Sequence, residues 1–151
     1  MRLVLQRVKN AQVILNDTIY SSIDIGILLL VGIESDDEKL NFDYYANKIL
    51  NLRIFNDSNG KMNDSLLDIN GSILVVSQFT LLANTKNGNR PSFMNAADPQ
   101  LAKKLYKKLI KKLKNYEINV KEGRFGAHMF VDFINDGPVT IIMDSKNESK
   151  N

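Results

Sequence analysis

A chain of 151 residues fits one domain and can bury a sizeable core, and 44% apolar with 25% charged residues is the composition of an ordinary soluble globular protein. The lack of cysteine excludes disulfides, thiolate nucleophiles and cysteine-ligated zinc. No apolar run is long enough for a bilayer and the first residues carry no secretion signal, so a cytoplasmic protein free of membranes is expected. The net charge of +3 is small but uneven. Seven lysines (Lys103, Lys104, Lys107, Lys108, Lys111, Lys112 and Lys114) crowd into twelve residues, while acids gather at Asp36, Asp37 and Glu38. Such asymmetry suits a polyanion and equally suits a solvated helix face.

Residues 2–8 and 11–15 predict a pair of short strands separated by Lys9-Asn10. The nearly continuous apolar run 25–33 predicts a strand buried on both faces. Ser35 and Glu38 have capping-box spacing, and Phe42, Tyr45, Ala46, Ile49 and Leu50 follow at helical intervals, predicting a helix over 36–52. Residues 53–55 form a short strand entering a turn at Asn59-Gly60. Residues 72–82 form another strand, and 84–97 an irregular, basic loop. Asp98-Pro99 starts a second helix as N-cap and first helical residue; Leu101, Ala102, Leu105, Leu109 and Leu113 make its apolar stripe, with Tyr106 and Ile110 beside it. Residues 117–121, 124–134 and 139–143 alternate as strands, the last two broken by Gly137-Pro138. The pattern predicts an α+β domain over 1–144: a curved or barrel-like, mainly antiparallel sheet with two principal helices packed against it. The polar tail 145–151 is expected to be disordered.

Two segments stand where chemistry can be held rigidly, at the exits of buried strands. One is Ser77-Gln78-Phe79-Thr80-Leu81, after Ile73-Leu74-Val75-Val76; the other is Asn135-Asp136-Gly137-Pro138-Val139-Thr140. An X-Pro bond can be cis at little cost, and glycine before it has unusual backbone freedom. Ser77 and Thr80 are possible nucleophiles, but a hydroxyl needs a base. The single histidine, His128, is accompanied by no Gly-x-Ser-x-Gly elbow. One histidine and no cysteine leave only carboxylates for a metal, without EF-hand spacing, so neither metal nor other cofactor is expected. As bare strings the two segments are also compatible with an ordinary strand end and a tight turn.

Their order along the chain adds more. Met1-Arg2-Leu3-Val4-Leu5-Gln6-Arg7-Val8, the segment 26–32, Ser77-Gln78-Phe79-Thr80-Leu81, Gly88-Asn89-Arg90-Pro91-Ser92-Phe93, Gly123-Arg124-Phe125-Gly126-Ala127-His128-Met129 and Asn135-Asp136-Gly137-Pro138-Val139-Thr140 together resemble the D-aminoacyl-tRNA deacylases. The resemblance implies a homodimer that hydrolyses the ester between a D-amino acid and the 3′-terminal adenosine of tRNA. It implies a cis Gly137-Pro138 bond, inserted beside Ser77, Gln78, Phe79 and Thr80 of the other subunit. Backbone carbonyls there would fix the substrate's α-ammonium, and Phe125 and Met129 would help form the adenosine pocket. An L-side chain would strike the Gly-Pro wall, so specificity arises by rejection. Glycine has no side chain to reject, which makes glycyl-tRNA an expected second substrate; no DNA partner is expected.

An aminoacyl ester is already activated. Attack by water, with backbone N–H groups near Phe79 and Thr80 stabilising the oxyanion, is therefore favoured over Thr80 as nucleophile. The lysine-rich helix and the 84–90 loop become candidate contacts for tRNA phosphates. Three competing readings are a non-catalytic RNA-binding module, an esterase using Ser77 or Thr80 with His128, and a structural homodimer shaped by Gly137-Pro138.

Overall fold

The computed structural model describes residues 1–148. Strands β1 (Arg2–Leu15), β2 (Thr18–Ile23) and β3 (Gly26–Gly32) are followed by α1 (Phe42–Asn51), the short strands β4 (Phe55–Asn56) and β5 (Met62–Asp64), and β6 (Ser72–Ser77). Then come α2 (Pro99–Leu113), β7 (Asn119–Glu122), β8 (Phe130–Asp144) and one turn of helix, α3 (Ser145–Glu148). Lys9-Asn10 is not a break between strands: β1 runs through it, because its pairing with β8 continues from Val8↔Asn135 to Asn10↔Ile134.

The sheet order is β2-β1-β3-β6-β7, with β8 on β1. All three pairings of β1 are antiparallel, but β3–β6 and β6–β7 are parallel. The sheet is thus mixed, not purely antiparallel. The reason is topological: the segments carrying α1 and α2 cross over between neighbouring strands, which parallel pairing requires.

Both helices cover one face. Phe42, Ile49, Leu50, Leu105, Tyr106 and Leu109 pack with Leu5, Leu29, Val31 and Val75. On the other side Val8, Val13, Ile23, Leu28, Leu74 and Val76 form a second cluster, flanked by Val131 and Phe133. β3 and β6 are therefore buried on both faces, as the continuous apolar run of β3 predicts, and the sheet curls nearly closed around the second cluster. Burying each such side chain contributes about 1.5–3 kcal/mol.

α2 begins as expected, Asp98 Oδ1 accepting from the backbone N–H of Gln100 (3.0 Å) and Leu101 (3.1 Å). α1 does not begin at Ser35. Its cap is Asn41, whose side chain accepts from Asp43 and Tyr44 N–H. The expected capping box fails because Asp37 turns inward while the exposed Glu38 pairs with Lys104. The Met1 α-ammonium is buried against Asp37 and lies 3.4 Å from Glu34 Oε2 and 2.7 Å from Ser145 Oγ. Lys146 Nζ donates to Glu34 Oε1 at 2.8 Å. A buried ammonium needs such carboxylates, and satisfying it bends residues 33–40 into a separate 3₁₀ turn, Asp37–Lys39.

Further differences concern element ends. The strand expected over 72–82 stops at Ser77 and becomes a 3₁₀ turn, Phe79–Leu82. Residues 124–129 form no strand, and β8 starts only at Phe130. Gly137-Pro138 is a cis peptide but does not end a strand: β8 continues through it. Ser145–Glu148 is a helical turn anchored by Ser145 and Lys146, not a disordered start to the tail. The remainder of that expectation, 149–151, lies outside the described residues. No helix among the described residues is long and apolar enough to cross a membrane.

The parallel β3–β6 pair opens at Gly26↔Ser72, where the backbones touch. A Cβ on Gly26 would lie 1.8 Å from the Ser72 carbonyl oxygen. Gly26→Ala is expected to destabilise the protein by about 3 kcal/mol or more, the upper range for overpacking, measured as a lowered midpoint in urea without loss of cooperativity.

Candidate active site

Ser77 is the last residue of β6 and pairs with Val31. There Gln78 N–H donates to Val31 O at 2.7 Å, and the chain turns into the 3₁₀ segment carrying Phe79 and Thr80. Among the described residues, the backbone N–H groups of Phe79 and Thr80 meet no acceptor. They are the orphan donors that every helical start leaves.

Beside this turn lies a cleft of about 550 Å³. Ser77, Gln78, Phe79, Phe125 and Met129 all line it, as do His128 and Tyr106. Expected site residues from two distant segments thus meet. The agent is β7: Gly123 N–H donates to Val75 O at 2.8 Å, which lays the 124–129 turn over the exit of β6. Tyr106, which the sequence suggested only as core, donates its hydroxyl to the same carbonyl at 2.8 Å and packs its ring 5.5 Å from Phe125. Burial, reinforced by nearby Glu122 and Tyr20, pushes the Tyr106 hydroxyl far above its usual range, so it stays a donor. Phe93 from the 84–97 loop stacks edgewise on Phe79 at 5.0 Å.

Thr80 does not line the cleft. Its hydroxyl accepts a hydrogen bond from the Gln78 side chain, which does not activate a nucleophile. His128 faces the ring of Phe130 edge-on at 5.3 Å, and no hydrogen bond joins it to Ser77 or Thr80 among the described residues. The Ser–His arrangement is not assembled. Glu34, Asp36 and Asp37 bring carboxylate oxygens within 4.8 Å of one another, but the Met1 ammonium and Lys146 already supply the cations there.

Gly137 and Pro138 stand elsewhere. On β8, Asn135 pairs with Val8 and Thr140 with Gln6, so four residues, 136–139, bulge opposite Arg7 alone. Asn135 Oδ1 closes the bulge by accepting from Val139 N–H at 2.9 Å. Arg7 anchors it: Nε donates to Asp136 O at 3.1 Å and lies 3.2 Å from its carboxylate, and Nη1 donates to Ile54 O at 2.8 Å. Arg7 is buried although charged, a role that a lone arginine in a strand does not announce in sequence. The bulge sits at the Gly26–Ser72 end of the sheet, and the cleft at the Ser77 end. The five steps of β6 between them span about 17 Å. One chain does not bring the two motifs together.

Comparison with known proteins accords with this arrangement. A family model described as D-Tyr-tRNA(Tyr) deacylase matches residues 4–144. A D-aminoacyl-tRNA deacylase of Thermosipho africanus (strain TCF52B) is 53% identical over 146 residues, 97% of this chain and 98% of its own. One of Clostridioides difficile (strain 630) is 50% identical over 145 residues, 96% and 97% respectively. Among solved structures, the c-Myc DNA Unwinding Element Binding Protein aligns with a TM-score of 0.90 at 40% identity over 96% of this chain and 99% of its own. A probable eukaryotic D-amino acid tRNA deacylase shares the fold, with a TM-score of 0.79 at 18% identity over 94% and 97%. These matches define an enzyme of the hydrolase class. The chain belongs to the D-Tyr-tRNA(Tyr) deacylase family.

Arg7 carries the bulge, so replacing it leaves buried carbonyls without donors. Arg7→Met is expected to lower stability by about 3 kcal/mol, read by urea denaturation.

Proposed function

We propose that this D-aminoacyl-tRNA deacylase acts as a homodimer in which Gly137 and Pro138 of one subunit complete the cleft of the other. The observation that carries this reading is the separation of the motifs: Gly137 and Pro138 project from the opposite end of the sheet, with Pro138 exposed. Large apolar side chains stand exposed on the same strand, Phe130 at 60%, Ile134 at 52% and Ile142 at 67%. Phe79 at the cleft is 57% exposed. Exposed apolar groups along one strand support a self-complementary interface.

In the assembled site the carbonyls beside Gly137-Pro138 hold the substrate's α-ammonium, and Phe125 and Met129 hold the terminal adenosine. With ammonium, ester and adenosine fixed, a D-side chain points to open space, whereas an L-side chain meets the Gly-Pro wall. Glycyl-tRNA, with no side chain to exclude, is accepted as well. Water attacks the ester, and the free N–H groups of Phe79 and Thr80 stabilise the oxyanion. The tRNA's 2′-hydroxyl assists. Absence of cysteine suits a cytoplasmic site of action. The name of the 40%-identical solved structure raises DNA binding as a second reading; it predicts saturable binding of duplex DNA without dependence on an aminoacyl ester.

Hydrolysis of matched D-Tyr-, L-Tyr- and Gly-tRNA tests the proposal: the D- and glycyl esters should be cleaved and the L-ester spared. Equal cleavage of D and L overturns the rejection mechanism. A Cβ on Gly137 would lie 2.7 Å from Val139 Cγ2 and 3.0 Å from Arg7 Nη2, at a φ of +124°. Gly137→Ala should therefore displace the wall and lower kcat/KM for D-Tyr-tRNA by about 100-fold. Thr80→Ala should stay within about tenfold of the parent; a loss on the order of 10⁴-fold with binding intact would make Thr80 the nucleophile.

A further inference from the structure

We infer that tRNA phosphates are held by a rim of four cations at the cleft, Lys86, Arg90, Lys103 and Arg124, and not by the lysine face of α2. The inference takes the identity of the polyanion from the deacylase reading; the placement rests on what each cation touches.

Most of the α2 lysines are committed to the seams between this helix and its neighbours. Lys104 pairs with Glu38 at 2.7 Å and Lys112 with Asp43 at 2.8 Å. Between them, Lys108 lies 4.7 Å above the ring of Phe42. These three, spaced at i, i+4 and i+8, form one stripe facing the Asp37–Lys39 turn and the start of α1. On the other side Lys107 and Lys114 converge on Glu122 of β7, at 2.5 and 3.8 Å. Among the described residues, only Lys103 and Lys111 of this helix have no such contact.

Lys103 is the one beside the cleft. It follows Ala102 and stands four residues after Pro99, both of which line the cavity. Lys111 lies eight residues further on, about 12 Å down the helix. The other rim cations belong to the segments that build the cleft. Arg124 precedes Phe125. Lys86 and Arg90 sit on the exposed loop closed by the Asn84–Ser92 backbone pair, N–H to O at 2.8 and 2.9 Å, directly before Phe93 on Phe79. None of the three forms an ion pair among the described residues.

The rim is also poor in acids: Asp98, between the lining residues Ala97 and Pro99, caps α2 by accepting from the N–H groups of Gln100 and Leu101. Residues 78–97 and 123–131 contain no Asp or Glu, although the chain has 17. The α2 lysines, by contrast, face Glu38, Asp43 and Glu122. A polyanion therefore meets four cations beside one capping carboxylate at the cleft mouth and largely compensated charge along the helix. Contacts there would fix the strand leading into the adenosine pocket without reading its bases.

The test compares the parent protein with Lys86→Glu/Arg90→Glu, with Arg124→Glu, and with the charge-matched helix variant Lys104→Glu/Lys111→Glu. Turnover of D-Tyr-tRNA is followed across a salt series, and binding of uncharged tRNA by fluorescence anisotropy. Each lost phosphate contact lowers the log–log salt slope by roughly 0.7–0.9. The loop variant should thus lose about 1.5 of slope and raise KM by about tenfold at 0.15 M salt (roughly the physiological value), with kcat within about twofold. Arg124→Glu should lose about half as much slope, and the helix variant should match the parent. An unchanged slope in both rim variants, or a shift confined to the helix variant, overturns the inference. If the parent shows no turnover, the deacylase reading fails, and the anisotropy series still decides between rim and helix. Duplex DNA bound as tightly as tRNA would overturn the assignment of the rim to tRNA.

Discussion

A strand has two edges, and β1 divides its own among three neighbours. Residues 2–8 pair with β3 and residues 11–15 with β2 along one edge, while β8 follows the other from end to end. Buried backbone groups must be paired, so where β1 passes from β3 to β2 the sheet has to bend. β8 absorbs the bend by setting four residues against one, a wide departure from regular register. The same bend curls the sheet over Val13, Leu28 and Val76, giving the second core cluster. The closure of the barrel and the projection of Gly137-Pro138 are therefore consequences of one event in β1.

Arg7 lies just before that passage, still paired with Ile27 of β3. Its guanidinium takes the place of the ladder partners that β8 withdraws, and it bonds at once to the bulge and to the carbonyl before β4. A buried cation with this many acceptors costs far more to remove than to keep. The bulge is held by a charge network, whereas the cleft is held by backbone bonds at Val31 and Val75. The bulge and the cleft are built by different forces at opposite ends of β3 and β6. Such a division suits the proposed dimer, because each part can be rigid before two copies meet.

Charge follows a similar division. The lysines of α2 dominate the composition of their segment, yet they serve mainly to join α2 to α1 and to β7. Exposed pairs of this kind contribute little stability each. What they change is the local field, which their carboxylate partners largely compensate along α2. Conventional catalytic groups are not assembled: the cleft is lined by aromatic faces and by Ser77 and His128 with no hydrogen bond between them, and the N–H of Phe79 meets no acceptor among the described residues. Under the proposed function an activated ester is attacked by positioned water with oxyanion stabilisation.

Features that depend on neighbours along the chain were legible in the sequence. Helical spacing placed Phe42, Tyr45 and Ile49 on one face of α1, Asp98-Pro99 opened α2, and a continuous apolar run marked β3 as doubly buried. The cleft residues Ser77, Gln78, Phe79, Phe125 and Met129 were legible as well, through motif order and not through periodicity. Features that depend on distant residues emerged only on folding. Ser35-x-x-Glu38 has the local spacing of a capping box, but the buried ammonium at Met1 claimed Asp37 and Lys104 claimed Glu38. Lys9-Asn10 looks like a break, yet the unbroken edge of β8 carries β1 across it. Gly137-Pro138 looks like the end of a strand, yet Arg7, 130 residues away, keeps β8 continuous around it. In each case a long-range pairing of backbone or charge outweighed a local preference worth about 1 kcal/mol, and no window of sequence contains both partners.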